Sequence, residues 1–181
     1  MKKFEEKTIH SDHIFDGNVI SLRVDDVELP NGQTSKRELI QHPGAVAVIA
    51  VTKEKKIILV EQYRKALEKS LIEIPAGKLE PGEKPEVTAL RELEEETGYT
   101  TDNLTYVTSF YTSPGFANEI IYLYLAEELE QMAEPPAGDE DEFIELMELS
   151  LNEAKERVKN QQIQDAKTNY AILYLESIQQ D

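Results

Sequence analysis

The sequence predicts an α+β fold, in which antiparallel or mixed strands carry a few packed helices. A nearly unbroken apolar run at residues 44–52 is followed, after a short turn, by a second apolar run at residues 56–63. One helical stretch lies between Pro85 and Gly98, and a capped helix begins near Ser150. At 181 residues the chain is long enough for one domain with a real core and a small appendage, whereas two full domains are not expected.

Residues 1–42 are predicted to form a small antiparallel β subdomain. Apolar and polar residues alternate over residues 20–29, which is the two-residue period of a strand with one buried face. A Pro-Asn-Gly turn at residues 30–32 reverses the chain, and a second strand is expected to return over residues 35–41. The larger domain is expected to cover residues 43–181.

The strands that follow are predicted to form the core of the larger domain. The valine-rich segment 44–52 is apolar on both faces, as in a strand that is covered on both sides. A turn at residues 53–55 connects it to a strand at residues 56–63, and a shorter strand is expected at residues 71–74. Further strands are expected at residues 104–111, 119–126 and 143–149.

Two arginines lie on these strands, and each has two open interpretations. Arg37, on the returning N-terminal strand, can bind a ligand or form an ion pair with an acidic residue of the preceding strand, such as Glu28. Arg64 directly follows a central strand, where its planar guanidinium can bind a phosphate or form a surface ion pair.

Three helices are predicted. Pro85 suits a first helical turn and Gly98 suits a helix end, so a helix of about three turns is expected between them. Its apolar residues are Val87, Leu90 and Leu93. A capping box at residues 150–153 predicts a helix that runs to about residue 159. The last helix is expected around residues 165–177, with Ala171, Ile172 and Leu175 buried.

The first of these helices carries an unusual acidic cluster. Glu92, Glu95 and Glu96 fall within about 100° of one another around the helix axis, on the side turned away from Leu90. Like charges four residues apart cost about 0.2–0.5 kcal/mol, and carboxylates in the last turns oppose the helix dipole. A hard divalent cation such as Mg²⁺ would offset the repulsion, while a solvated acidic face is the alternative.

The spacing around this cluster resembles the Nudix box. Residues 77–99 read GKLEPGEKPEVTALRELEEETGY, which places glycines, glutamates and the arginine at every fixed position of that motif. The one departure is Tyr99, where the family more often has an aliphatic residue. The resemblance implies an α/β/α sandwich with a mixed sheet, and hydrolysis of a nucleoside diphosphate linked to another group.

The resemblance also implies roles for individual residues. The metal ligands are Glu92, Glu95, Glu96 and the backbone carbonyl of Ala76. Glu83 and Arg91 correspond to residues that orient the ligand carboxylates and support catalysis. An acidic, Pro- and Gly-bearing segment at residues 127–142 is either a solvated run of charge or the counterpart of the loop that supplies a general base or an extra metal ligand in ADP-ribose-cleaving relatives. The candidates for that base are Glu142 and Glu140, between which the sequence does not choose.

A second motif resembles one that is characteristic of the ADP-ribose pyrophosphatase subfamily. Ser113, Pro114 and Gly115 follow the box, with the proline sixteen residues after Gly98, and they are candidate substrate-binding residues. This implies Mg²⁺-dependent cleavage of ADP-ribose to AMP and ribose 5-phosphate, with Mn²⁺ as the alternative metal. Another nucleoside diphosphate sugar, a dinucleotide, or a non-catalytic regulator are the alternative functions. The N-terminal subdomain resembles one that forms a homodimer, in which Arg37 would reach the partner's site.

The composition narrows the class of partner. A net charge of −17 argues against nucleic acid and anionic membranes, both of which attract basic surfaces. The chain has no cysteine, so thiolate chemistry and disulfides are excluded, and its three histidines are scattered. The N-terminal residues lack the apolar stretch of a signal peptide, and no apolar run approaches membrane-span length. A cytoplasmic protein is expected.

Overall fold

The computed structural model describes residues 3–136, 138 and 143–179. Its backbone contacts group the chain into two compact units. The first consists of Met1–Gly44 with Ser109–Ile121, and the second of Ala45–Thr108 with Tyr122–Asp181. The division into domains at residues 42 and 43 stays a prediction.

The first unit contains a three-stranded antiparallel sheet. Its strands, in both chain and spatial order, are β1 (Lys7–Asp16), β2 (Ser21–Glu28) and β3 (Thr34–Gln41). Every residue of β1 is exposed, so this strand has no apolar alternation by which the sequence could have revealed it. The buried carboxylate of Asp25 on β2 accepts hydrogen bonds from Thr8 and Ser11, which fastens β1 to the sheet.

The remaining strands, in chain order, are β4 (Ala45–Val51), β5 (Lys56–Arg64), β6 (Lys69–Glu73), β7 (Ala76–Lys78), β8 (Tyr99–Thr100), β9 (Asn103–Tyr111), β10 (Ile120–Glu127), β11 (Glu130–Gln131) and β12 (Ile144–Ser150). One sheet has the order β12-β5-β4-β10-β9, with β6 paired to β5 and β7 paired to β4. The short strands β8 and β11 pair with each other. The expected α+β class is therefore confirmed.

Three helices are described: α1 (Pro85–Thr97), α2 (Leu151–Lys159) and α3 (Ala166–Ile178). Gly98 ends α1 with a left-handed φ of 70°, and its N–H donates to the Glu94 carbonyl. The capping box between Ser150 and Glu153 is present at the start of α2, and the Asp165 side chain caps α3. None of these described helices has the length and hydrophobicity that a membrane span requires.

The core of the second unit lies around β4 and β5, whose central residues are fully buried. Helix α1 packs on this core through Ala89 and Leu93. The apolar face predicted for α1 is partly wrong, because Val87 is 51% exposed and Leu90 is only half-buried. The side chains that α1 buries are instead those of Thr88, Ala89, Glu92, Leu93, Glu96 and Thr97. Two of the three clustered glutamates thus lie on the buried side of the helix.

Candidate active site

The turn into β7 contacts the buried face of α1. The backbone N–H of Ala76 donates to Glu96 Oε2 at 2.9 Å. A Cβ atom built on Gly77 would lie 1.9 Å from Glu92 Cδ, so only glycine leaves room for that carboxylate. Glu92 is 9% and Glu96 6% exposed. The first glycine of the box therefore contacts Glu92, and the residue before it contacts Glu96.

Arg91 connects the acidic residues of the box. Its Nη1 lies 2.9 Å from Glu92 Oε1 and 2.8 Å from Glu95 Oε2, and its Nη2 lies 3.3 Å from Glu83 Oε2. Burial lowers the pKa of Arg91, but hydrogen bonds and charge from these glutamates outweigh it and raise the pKa above its ordinary value. The guanidinium thus offsets the repulsion that the spacing of the glutamates implies.

Thr88 is a part of this network that the sequence did not reveal. Its buried hydroxyl donates to Glu83 Oε2 at 2.7 Å, beside the contact that Glu83 makes with Arg91. Hydrogen bonds from Arg91 and Thr88 lower the pKa of Glu83. A threonine three residues before the box arginine lies on the same helix face, which is the signal that could have identified it.

The donor set of the box fits a hard divalent cation. Three carboxylates lie on the last turns of α1, two of them are buried, and Gly77 on β7 leaves the space that Glu92 occupies. Glu92, Glu95 and Glu96 would hold such an ion with the Ala76 carbonyl. Among the residues that the structure describes, no three acidic or histidine side chains already surround one point. Arg91 is the cation that Glu92 and Glu95 share in this arrangement.

Arg64 belongs to a second ion-pair network. Its Nε and Nη2 donate to the two oxygens of Glu73 at 2.7 and 2.8 Å, and Lys167 binds the same carboxylate. Glu73 is only 2% exposed. Burial alone would raise its pKa, but Arg64 and Lys167 outweigh burial and lower it. A surface ion pair was one of the two interpretations of Arg64, and Arg64 does form an ion pair, but with the buried Glu73. The other interpretation, phosphate binding by Arg64, stays a prediction.

Arg64 is also within electrostatic reach of the box. The hydrogen bond with Glu73 is the main cause of its raised pKa, and the charge of Glu96 adds to it. The Arg64 side chain is still 39% exposed, although two of its donors bind Glu73. The negative charge of one predicted metal ligand thus contributes to the raised pKa of Arg64.

In the first unit, Arg37 forms an ion pair, but with a different acid from the one expected. Its Nε and Nη2 contact Glu6 at 2.8 and 2.5 Å. Glu28 is the wrong partner, because strand register places it opposite Thr34 and places Asp25 opposite Arg37. A ligand-binding role for Arg37 stays a prediction.

The second motif forms a tight turn in the first unit. The Ser113 carbonyl accepts hydrogen bonds from the N–H groups of Phe116 and Ala117, so the chain reverses around Pro114 and Gly115. The substrate-binding role expected of this segment stays a prediction. The two candidate bases, Glu140 and Glu142, lie outside the described residues.

Tyr99, the departure from the box pattern, has a structural explanation. Its ring packs against the core of the second unit, and its hydroxyl lies 3.3 Å from Glu148 Oε1 on β12. Burial and the nearby Glu148 charge raise the pKa of Tyr99. The aromatic residue thus adds one polar contact to the packing role that an aliphatic residue would fill.

Comparisons with known proteins agree with this geometry. Residues 41–169 match the NUDIX domain, and residues 6–40 match the N-terminal domain of nucleoside diphosphate sugar hydrolases. The chain is 62% identical to the ADP-ribose pyrophosphatase of Bacillus subtilis (strain 168), over 97% of this chain and 95% of that protein. It is also 62% identical to the methanol dehydrogenase activator of Bacillus methanolicus, over the same shares of the two chains.

A solved structure gives the fold independently. The crystal structure of an ADP compounds hydrolase superposes with a TM-score of 0.85, covering 98% of this chain and 96% of that one at 19% identity. This likeness confirms the fold that the motif implied. With Glu96 bound to the Ala76 N–H, Glu92 packed against Gly77, and the domain match spanning residues 41–169, the chain belongs to the Nudix family.

Proposed function

We propose that this protein hydrolyses the pyrophosphate bond of ADP-ribose, giving AMP and ribose 5-phosphate, with Mg²⁺ as its preferred metal and Mn²⁺ as the alternative. The observation that carries the proposal is the placement of Glu92 and Glu96 against Gly77 and Ala76, with Arg91 bound to Glu92 and Glu95. The 62% identity to the Bacillus subtilis protein named ADP-ribose pyrophosphatase supports ADP-ribose as the substrate.

The reaction adds water to one phosphorus of the pyrophosphate, and the bridging P–O bond breaks. When bound, a divalent cation neutralises the phosphate oxygens and lowers the pKa of a bound water. Glu92, Glu95 and Glu96 would hold it, while Arg91 keeps Glu92 and Glu95 in place and the Ala76 N–H orients Glu96. Oxygen ligands are the type that Mg²⁺ prefers.

The other residues would bind substrate or move a proton. Arg64, held in a fixed orientation by Glu73, would donate its exposed N–H groups to a phosphate oxygen. The turn at residues 113–115 would contact the substrate, and Glu142 or Glu140 would accept the proton of the attacking water.

A substrate panel tests the function. With Mg²⁺ present, we expect ADP-ribose to be cleaved with a higher kcat/KM than ADP-glucose or diadenosine compounds, since the box fixes the chemistry and the remaining contacts select the leaving group. Product analysis by chromatography identifies AMP and ribose 5-phosphate directly. Equal rates across the panel would remove the ADP-ribose assignment but leave pyrophosphate hydrolysis in place.

A second candidate function follows from the other relative. Because the chain is equally similar to a protein named methanol dehydrogenase activator, activation of an alcohol dehydrogenase is the alternative role. That role alone would not need the box carboxylates, which repel one another. A protein that accelerates a dehydrogenase yet yields no product from any nucleoside diphosphate would favour this alternative.

The proposal includes a homodimer in the cytoplasm. The exposed strand β1 forms an edge of the N-terminal sheet and carries apolar side chains at Ile9, Ile14 and Phe15. An exposed apolar edge strand is a surface that another strand or chain can cover. A second copy of this chain is the partner we propose, and Arg37 would then contact substrate at the partner subunit's site.

The proposed cytoplasmic location is compatible with the composition, because a chain without cysteine suits a reducing compartment.

Mixed dimers test the role of Arg37. Arg37→Ala is expected chiefly to raise KM, because a contact made equally in the ground and transition states leaves kcat nearly unchanged. After dissociation and reassembly, a dimer of Arg37→Ala and Glu96→Gln chains would have one intact site and one doubly damaged site. Its activity at low substrate should exceed that of either parent.

The control for this experiment is Glu6→Gln, which removes the acid paired with Arg37 and keeps the arginine. We expect it to leave KM near the wild-type value. If verified heterodimers show no gain in activity, Arg37 acts within its own chain or not at all.

A further inference from the structure

The chain between β6 and β7 is held from three directions. The N–H of Ile74 donates to Thr168 Oγ1 at 2.9 Å, and this contact is buried. The Pro75 carbonyl accepts from the Val48 N–H at 2.8 Å. The Ala76 N–H donates to Glu96. Each residue of the segment 74–76 thus makes a hydrogen bond to a different element: α3, β4 and α1.

The contact from α3 comes from its first turn, which is unusually polar for a buried position. Thr168 is fully buried, and its hydroxyl accepts from Ile74 while donating to Asp165 Oδ2 at 2.6 Å. Lys167 is also buried and bridges Asp165 and Glu73. Glu73 in turn binds both Nε and Nη2 of Arg64.

This network has more buried polar groups than the end of a helix requires. The Asp165 side chain already caps α3 by accepting from the Thr168 N–H. The side chains of Lys167 and Thr168 make additional contacts with Glu73 and Ile74, which lie just before the start of β7 at Ala76. Leaving a buried polar group without its partner costs more free energy than the hydrogen bond itself contributes. The network therefore favours a single position for the backbone at residues 73–74.

We propose that Lys167 and Thr168 are positioning residues for the metal site: they fix residues 73–74, and thereby hold the backbone of Ala76, whose N–H donates to Glu96, and the Glu73 carboxylate that orients Arg64. The inference rests on the divalent metal site of the proposed function. Residues that hydrogen-bond to metal ligands hold those ligands in orientation. Removing such a residue typically lowers metal affinity by about 10–100-fold.

Thr168→Val tests this proposal, since it keeps the shape of the side chain and removes the hydroxyl. Thr168→Ser restores the hydroxyl and serves as the rescue. The matched control is Thr101→Val, because the Thr101 hydroxyl is likewise buried, accepts from a backbone N–H (Asn103) and donates to an oxygen (Glu127), but contacts neither residues 73–76 nor α3. All variants are made in the full chain, and Mn²⁺ binding is measured by electron paramagnetic resonance without substrate.

We expect Thr168→Val to bind Mn²⁺ about tenfold or more weakly, while Thr168→Ser and Thr101→Val stay near the wild-type affinity. Amide hydrogen exchange should accelerate at Ile74 and Ala76 in Thr168→Val alone. Equal Mn²⁺ affinity in folded Thr168→Val and Thr101→Val would overturn the proposal. If Thr168→Val does not fold, Lys167→Met decides the question by the same binding measurement.

The readout separates this inference from the proposed function. If the wild-type protein binds Mn²⁺ and Thr168→Val weakens that binding, the positioning role holds even when no member of the substrate panel is cleaved. If ADP-ribose is cleaved but none of the α3 variants changes Mn²⁺ affinity, the positioning role fails and the proposed function stands.

Discussion

Glu96→Gln is expected to lower kcat/KM for ADP-ribose by more than about 100-fold while the protein stays folded. The amide keeps the size of the side chain and an oxygen that can accept the Ala76 N–H, but it removes the negative charge that a divalent cation needs. The loss should exceed the roughly 10–100-fold typical of residues that only support metal ligands. Initial rates and Mn²⁺ binding measure the two effects separately.

Without metal, the same substitution should leave the melting temperature unchanged or raise it, because it relieves the repulsion between Glu92 and Glu96 and neutralises a buried carboxylate. Thermal unfolding in the presence of a chelator checks this. Glu94→Gln is the control: it removes one charge from the same helix, at a residue whose side chain contacts Thr100. A clear fall in metal-free stability for Glu96→Gln would mean that the glutamate is structural.

Gly77→Ala is expected to reduce activity by about 100-fold or more with only a small loss of stability. The added Cβ would occupy the position of the Glu92 carboxylate, with the nearest atom 1.9 Å away. Because the obstructing atoms are the end of a flexible side chain, Glu92 can swing away while the backbone keeps its path. The predicted metal ligand is then displaced, so Mn²⁺ affinity should fall together with kcat/KM.

Gly32→Ala is the matched control for this glycine. Gly32 has a φ of 82° and open space around the missing Cβ, so alanine there costs about 1 kcal/mol of backbone strain and causes no clash. We expect Gly32→Ala to lower the melting temperature and leave activity intact. Wild-type Mn²⁺ affinity in Gly77→Ala would contradict the role given to Glu92.

Local signals allowed much of the fold to be predicted from the sequence. The valine run became β4, the capping box marks the start of α2, and the expected burial of Ala171, Ile172 and Leu175 in α3 is confirmed. In each case the determining interactions lie within a few residues of one another. Strand β1 was not found because its exposed residues carry no period, and its place depends on pairing with β2.

At the candidate site, too, only features that depend on residues close together in the sequence could be predicted. Helical spacing selected Glu92, Glu95 and Glu96, because residues three or four positions apart share a helix face. Glu83 and Arg91 were selected by the resemblance to the Nudix box. No sequence pattern singled out Glu73, although a glutamate between two isoleucines at the end of a short strand is an unusual residue to bury. Its partner Lys167 lies 94 positions away, and no local pattern relates the two.

By itself, then, the sequence determined the α+β class and the helix that carries the acidic cluster, and it predicted oxygen ligands for a divalent metal, since each depends on composition or on near neighbours in the chain. Only the tertiary structure decided which face of α1 is buried. It also showed that the Glu92 carboxylate occupies the space where a Cβ on residue 77 would lie, and that Arg64 is bound by Glu73. These features depend on the approach of segments distant in sequence, where a steric clash or a buried charge selects one arrangement from many.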